Sequence, residues 1–160
     1  MTGPIRLPAT GIVALLLCVA ALWPAPALAS LSGITGRSTV GCASCHGSAS
    51  GATYSLTGTT TVVEGRTGSY TSALFGQAKA GGFNVSASSG TLISGTGSKI
   101  VSGELTHTTR RTPPTFNFTW TAPTVASSTT ATLSGCSQYV NSNGTSAGDE
   151  IGRASCRERV

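Results

Sequence analysis

Five consecutive residues constrain the fold most. Phe116-Asn117-Phe118-Thr119-Trp120 sets an aromatic side chain at every second position, with polar residues between. A period of two is the repeat of an extended strand, so one face of this segment is buried and the other is wet. Shorter alternations recur at Ala52–Thr57, Tyr70–Phe75, Phe83–Ala87, Thr91–Ser94, Lys99–Val101 and Thr130–Cys136, with Thr60–Glu64 extending the first. Gly65-Arg66-Thr67-Gly68, Gly81-Gly82, Ser88-Ser89-Gly90 and Gly103 separate them, and these are residue types that turn a chain. Helix formers are sparse, charged residues are only 9% of the sequence, and no segment has an amphipathic helical period. Seven or so short strands at this spacing predict an all-β fold: an Ig-like β-sandwich with Greek-key connections, preceded by an irregular N-terminal loop. Its expected core is Tyr54, Leu56, Tyr70, Leu74, Phe83, Val85, Leu92, Phe116, Phe118, Trp120 and Leu133. A core this lean gains from a covalent staple.

The two ends differ in kind from this middle. Arg6, the apolar run Gly11–Leu22, the break at Trp23-Pro24 and the small residues Ala27 and Ala29 form a secretory signal peptide over residues 1–29. Cleavage is expected between Ala29 and Ser30, so the chain is exported, to the periplasm or the outer cell surface. At the other end, EIGRASCRERV (150–160) is dense in charge. It is similar to the peptide obtained by translating a common short-read sequencing adapter. The expectation is that residues 150–160 are an artefact standing in place of the native C-terminus. Setting both ends aside leaves Arg37, Arg66, Lys79, Lys99, Arg110 and Arg111 against Glu64, Glu104 and Asp149. Only Arg110 and Arg111 are adjacent, which is no nucleic-acid footprint. With so few acids and no Ser-His-Asp or paired-carboxylate pattern, no enzymatic activity is expected.

Between leader and sandwich lies a Cys/His loop, residues 30–51, containing Gly41-Cys42-Ala43-Ser44-Cys45-His46-Gly47. Haem c is held by thioethers from two such thiols, and the histidine that follows ligates the iron. Cys42, Cys45 and His46 are therefore candidate cofactor-binding residues, with His46 a metal ligand. The only methionine is Met1, in the leader, so His107 is the one conventional candidate for the sixth position. The same atoms permit other chemistry. A redox dithiol usually sits at a helix N-terminus, which this loop lacks. Zinc would need His107 and Cys136 to complete its shell. A plain Cys42–Cys45 disulfide would simply lock the loop. Asp149 with Asn141 and Asn143 is a weak candidate for calcium.

Several blocks also carry a resemblance. Gly33-Ile34-Thr35-Gly36-Arg37, the Cys42–His46 block, Ser102-Gly103-Glu104-Leu105-Thr106-His107, Phe118-Thr119-Trp120-Thr121-Ala122-Pro123 and Asn141 to Asp149 occur in an order similar to that of the choice-of-anchor V domain family. These are exported bacterial proteins common in myxobacteria, distantly similar to reelin-type sandwiches. The resemblance implies an Ig-like sandwich over 52–149, export, and membrane attachment only through a C-terminal anchor beyond Asp149. It also places His107 in a block shared with the Cys/His element. Two readings remain open. One is an exported, surface-anchored protein carrying one covalent haem c for electron transfer or redox sensing, with a redox partner protein or cell-surface component. The other is a structural or adhesive envelope β-sandwich with a Cys42–Cys45 disulfide and no haem.

Overall fold

The structure is a computed structural model and describes residues 32–42, 51–76, 79–142 and 148–160. The expected leader, Cys45 and His46 lie outside the described residues. Nine strands follow in order: β1 (Thr53–Gly58), β2 (Thr67–Phe75), β3 (Gly81–Ala87), β4 (Thr91–Ile93), β5 (Ser98–Val101), β6 (Glu104–His107), β7 (Thr115–Thr121), β8 (Thr130–Tyr139) and β9 (Glu150–Arg159). They form a four-stranded sheet, β1-β2-β7-β4, and a five-stranded sheet, β5-β6-β3-β8-β9, all pairings antiparallel. The chain crosses between sheets after β2, β3, β4, β6 and β7. No described residue is helical. The fold is the all-β sandwich that the alternation predicts.

The aromatic stripe of β7 sets the core. Phe116, Phe118 and Trp120 are buried while Asn117 between them is exposed. Phe116 stacks on Phe83 of the opposite sheet with ring centres 4.3 Å apart. Tyr70 stacks on Phe118 at 5.6 Å, and Trp120 Nε1 donates to Ser89 O at 2.8 Å. Burying one such side chain contributes roughly 1.5–3 kcal/mol. All eleven expected core residues are buried, joined by Val62, Leu105, Ala122, Ala131 and Tyr139. The turn into β4 needs Gly90, at φ +76°: a Cβ there would stand 2.5 Å from Thr121 O.

Three local expectations are revised. Thr60–Glu64 is not a strand extension; β1 ends at Gly58, and only Thr61 makes a bridge, to Arg159. Glu104–His107 is a strand, β6, because it closes a hairpin with β5 (Ser98↔His107 through Val101↔Glu104). Thr130–Cys136 runs on to Tyr139, whose hydroxyl donates to Leu74 O across the sandwich at 2.9 Å.

Residues 150–160, the adapter-like segment, pair with β8 from Thr130↔Arg159 to Tyr139↔Glu150. Period two explains why the segment enters the sheet. Ala154 and Cys156 pack against the core while Arg153, Arg157 and Arg159 are exposed or partly so. The same alternation buries Glu158, whose Oε1 accepts the Cys156 thiol at 2.6 Å and whose Oε2 has no hydrogen-bond partner. A buried carboxylate so poorly paired is costly. Burial, then Glu158, pushes the Cys156 thiol up to about 11.

The strand residues on the outer face of the four-stranded sheet are uncharged. Thr53, Ser55 and Thr57 of β1, Thr67, Ser69 and Thr71 of β2, and Thr115, Asn117, Thr119 and Thr121 of β7 point away from the buried residues between them. Cross-strand hydrogen bonds tie Thr67 to Thr121 and Thr71 to Asn117, each at 2.9 Å.

Truncating Phe116 to Ala should cost about 3–5 kcal/mol. Val63→Ala, at a site 67% exposed, should stay within about 0.5 kcal/mol. Urea unfolding of the two variants beside the parent checks the contrast, and equal losses would place the core elsewhere.

Candidate functional site

Of the residues singled out in the sequence, Cys42, His107 and Cys136 are described; His107 lies on β6 and Cys136 on β8, the two strands that flank β3, and the segment Ser32–Cys42 runs over this sheet. Backbone and side-chain hydrogen bonds lay this segment over the sheet. Arg37 N donates to Asn84 Oδ1 at 3.0 Å, Gly36 N to Glu104 Oε2 at 2.6 Å, and Ser38 Oγ to Glu104 Oε1 at 3.1 Å. Gly33, at φ +78°, lies so close to β6 that a Cβ would stand 2.2 Å from Thr106 Oγ1 and 2.5 Å from His107 O. Only glycine permits that approach. Asn84 anchors the centre, since its Nδ2 also donates to Leu105 O at 3.1 Å.

Strand register then sets the geometry. Asn84 of β3 faces Thr106 of β6 on one side and Cys136 of β8 on the other. At strand spacing these flanking residues are about 10 Å apart. Cys136 is off the inward alternation of Ala131, Leu133 and Gly135, yet it is fully buried, and its neighbour from the covering segment is Cys42. The two form a disulfide with Cα atoms 6.0 Å apart, inside the range that a disulfide bridges without backbone movement.

This corrects the expected Cys42–Cys45 pairing: Cys42 is bonded to Cys136, 94 residues away. A short Cys-x-x-Cys ring would leave the covering segment attached by hydrogen bonds alone. The observed bond ties it to β8 covalently. Cys136, which the sequence assigns no role beyond a possible zinc shell, is the residue that sequence reasoning missed. Its legible signal is a cysteine on the wrong side of an otherwise regular alternation.

His107 ends β6 where that strand leaves β3. Phe83 N–H donates to its Nδ1 at 3.2 Å, and its ring centre is 6.4 Å from that of Phe116. The ring is 7% exposed and leaves no room above Gly82, where a Cβ would stand 2.2 Å from it. Its place is thus a packed one that caps the β3–β6 ladder.

The described residues do not fit haem c in this state. The sulfur of Cys42 is in a disulfide, and one sulfur cannot also carry a thioether. The same bond removes Cys136 from the zinc alternative. Among the described residues no three His, Cys, Asp or Glu side chains gather as a metal site. Asp149, the weak calcium candidate, is buried and accepts Asn141 N–H at 3.0 Å through Oδ1.

No family model matches the chain, and no curated protein matches it. Among solved structures, it is similar to a conjugative transposon lipoprotein from Bacteroides eggerthii. The identity is 11% and the TM-score 0.42, over 68% of this chain and 96% of the lipoprotein chain.

Replacing Cys136 by Ser should lower stability by about 2–5 kcal/mol, because a closed loop of this length strongly restricts the unfolded chain. Reductant should lower the parent to the same level and leave Cys136→Ser unchanged. Denaturation with and without dithiothreitol checks this; a parent indifferent to reductant would contradict it.

Proposed function

We propose that the chain is an exported structural or adhesive β-sandwich of the cell envelope, with its N-terminal segment locked by disulfide, and that it is neither an enzyme nor a c-type cytochrome. The observation that carries this reading is the Cys42–Cys136 bond, which uses a sulfur that haem attachment requires. Three further features support it. The leader at residues 1–29 directs the chain to compartments where disulfides persist. His107, the candidate sixth ligand, accepts the Phe83 backbone N–H at Nδ1 and packs against Phe116. The strand residues on the exposed face of the four-stranded sheet offer many small hydroxyls and carry no charge themselves, a surface suited to contact. The block order similar to choice-of-anchor V domains agrees with envelope retention, and a cell-surface component is then the partner class.

The test is expression of the chain, with its own leader, in a bacterium carrying haem c maturation machinery. The exported protein should show no covalent haem on a stained denaturing gel and no Soret band, and it should be retained on isolated cell envelopes. A haem-stained band of this mass that disappears in Cys45→Ala would overturn the reading in favour of the cytochrome.

A further inference from the structure

We propose that a groove across the outer face of the four-stranded sheet binds an acidic polysaccharide, with a sugar carboxylate at Arg111 and sugar hydroxyls along the row Thr57–Thr71–Asn117. The inference rests on the envelope reading and names what the surface would hold.

The groove encloses about 640 Å³. It crosses β1, β2 and β7, and it is walled at one end by the turn Ser94–Thr96 and by Arg111. Thr57 faces Thr71, and Thr71 faces Asn117, so these three form one row across adjacent strands. At strand spacing the row is about 10 Å long, the scale of a disaccharide. Ser69 and Thr119 form the next pair along the same strands.

The row is oriented before any ligand arrives. Thr71 Oγ1 donates to Asn117 Oδ1 at 2.9 Å. That assignment leaves the Asn117 amide N–H₂ as the donor toward the groove and the Thr71 lone pairs as acceptors. Threonine is stiff at χ1, so ordering the face on binding costs little. Neutral donors and acceptors alternating at fixed spacing suit a ligand that presents hydroxyls at fixed spacing.

Arg111 supplies the selectivity. Among the described residues it is the one charged side chain lining the groove. Its backbone N and O are both held by Gly81 at 2.9 Å. Its guanidinium carbon lies 5.6 Å above the Phe116 ring, and its Nη1 reaches Thr115 O at 3.5 Å. No carboxylate of the described residues pairs with it. A fixed guanidinium in a groove without acids fits a carboxylate, through a charge-assisted and often bidentate hydrogen bond. A neutral glycan would leave that charge unanswered. A nucleic acid would find one cation where many are needed. Tyr70 and Phe118, the aromatic residues among the described lining of the groove, are buried beneath it and offer no ring for stacking. Recognition then falls on hydroxyls and the single charge, and firm attachment would come from many copies on one polymer.

The probes are a galacturonic acid hexamer, an alginate hexamer and the methyl ester of the first, titrated calorimetrically into the full chain. At least one acidic hexamer should bind saturably, and removing its charge as the ester should weaken binding by about tenfold or more, the scale of one charge-assisted hydrogen bond. Arg111→Gln should bring the acid down to the level of the ester, and Thr71→Val should weaken both while leaving the acid-to-ester ratio unchanged. Circular dichroism confirms that each variant is folded. Failure of both acidic hexamers to bind, or binding indifferent to Arg111→Gln, would overturn the proposal. Envelope retention separates the two levels: a parent and an Arg111→Gln chain retained equally would remove the groove and leave the envelope reading standing, whereas a parent that is not retained contradicts the envelope reading itself.

Discussion

The Cys42–Cys136 disulfide is the constraint on which the rest depends. The covering segment has no regular structure of its own, and ordering each of its residues costs roughly 1–2 kcal/mol of backbone entropy. The hydrogen bonds to Asn84 and Glu104, each contributing about 0.5–1.5 kcal/mol net, offset part of that cost. The covalent bond to β8 changes the balance, because much of that entropy is already lost in the cross-linked unfolded chain. Once the segment is seated, it lies over Cys136, on the outward side of β8, and passes close to β6 at Thr106 and the His107 carbonyl.

The two sheets consequently present opposite characters outward. The five-stranded sheet is covered at β3, β6 and β8 by its own N-terminal segment. No described segment covers the outer face of the four-stranded sheet, which carries hydroxyls and an amide in register, with Arg111 at one margin. A sandwich built this way has one face covered by its own chain. The Cys42–Cys136 bond belongs to that face, and the binding proposed above belongs to the other.

Much of the fold was legible because period two is a strong signal over an aromatic stripe. Phe116, Phe118 and Trp120 could be buried together only by a strand, and the eleven residues expected in the core are buried, whereas Ile100 of the short Lys99–Val101 run is exposed. Short elements were harder. Glu104–His107 has four residues, too few for a period, and its strand character comes from the pairing with β5. The site was less legible than the fold. Proximity in sequence makes Cys42 and Cys45 the obvious couple, whereas the choice of partner is made by the register of β8 and the path of a loop, neither of which sequence spacing encodes. The adapter-like segment shows the complementary limit. Its alternation is good enough to form β9, yet Glu158 stands on the side facing the core, so a correct period can coexist with the wrong polarity.

The account is tested most directly by peptide mapping of the exported protein under non-reducing conditions, with mass spectrometry of every cysteine-containing fragment. It predicts a single cross-linked species joining the peptide of Cys42 to that of Cys136, separated into its halves by reduction, with Cys45 outside that link. A fragment joining Cys42 to Cys45, or one carrying haem on both, with Cys136 recovered as a thiol, would contradict it.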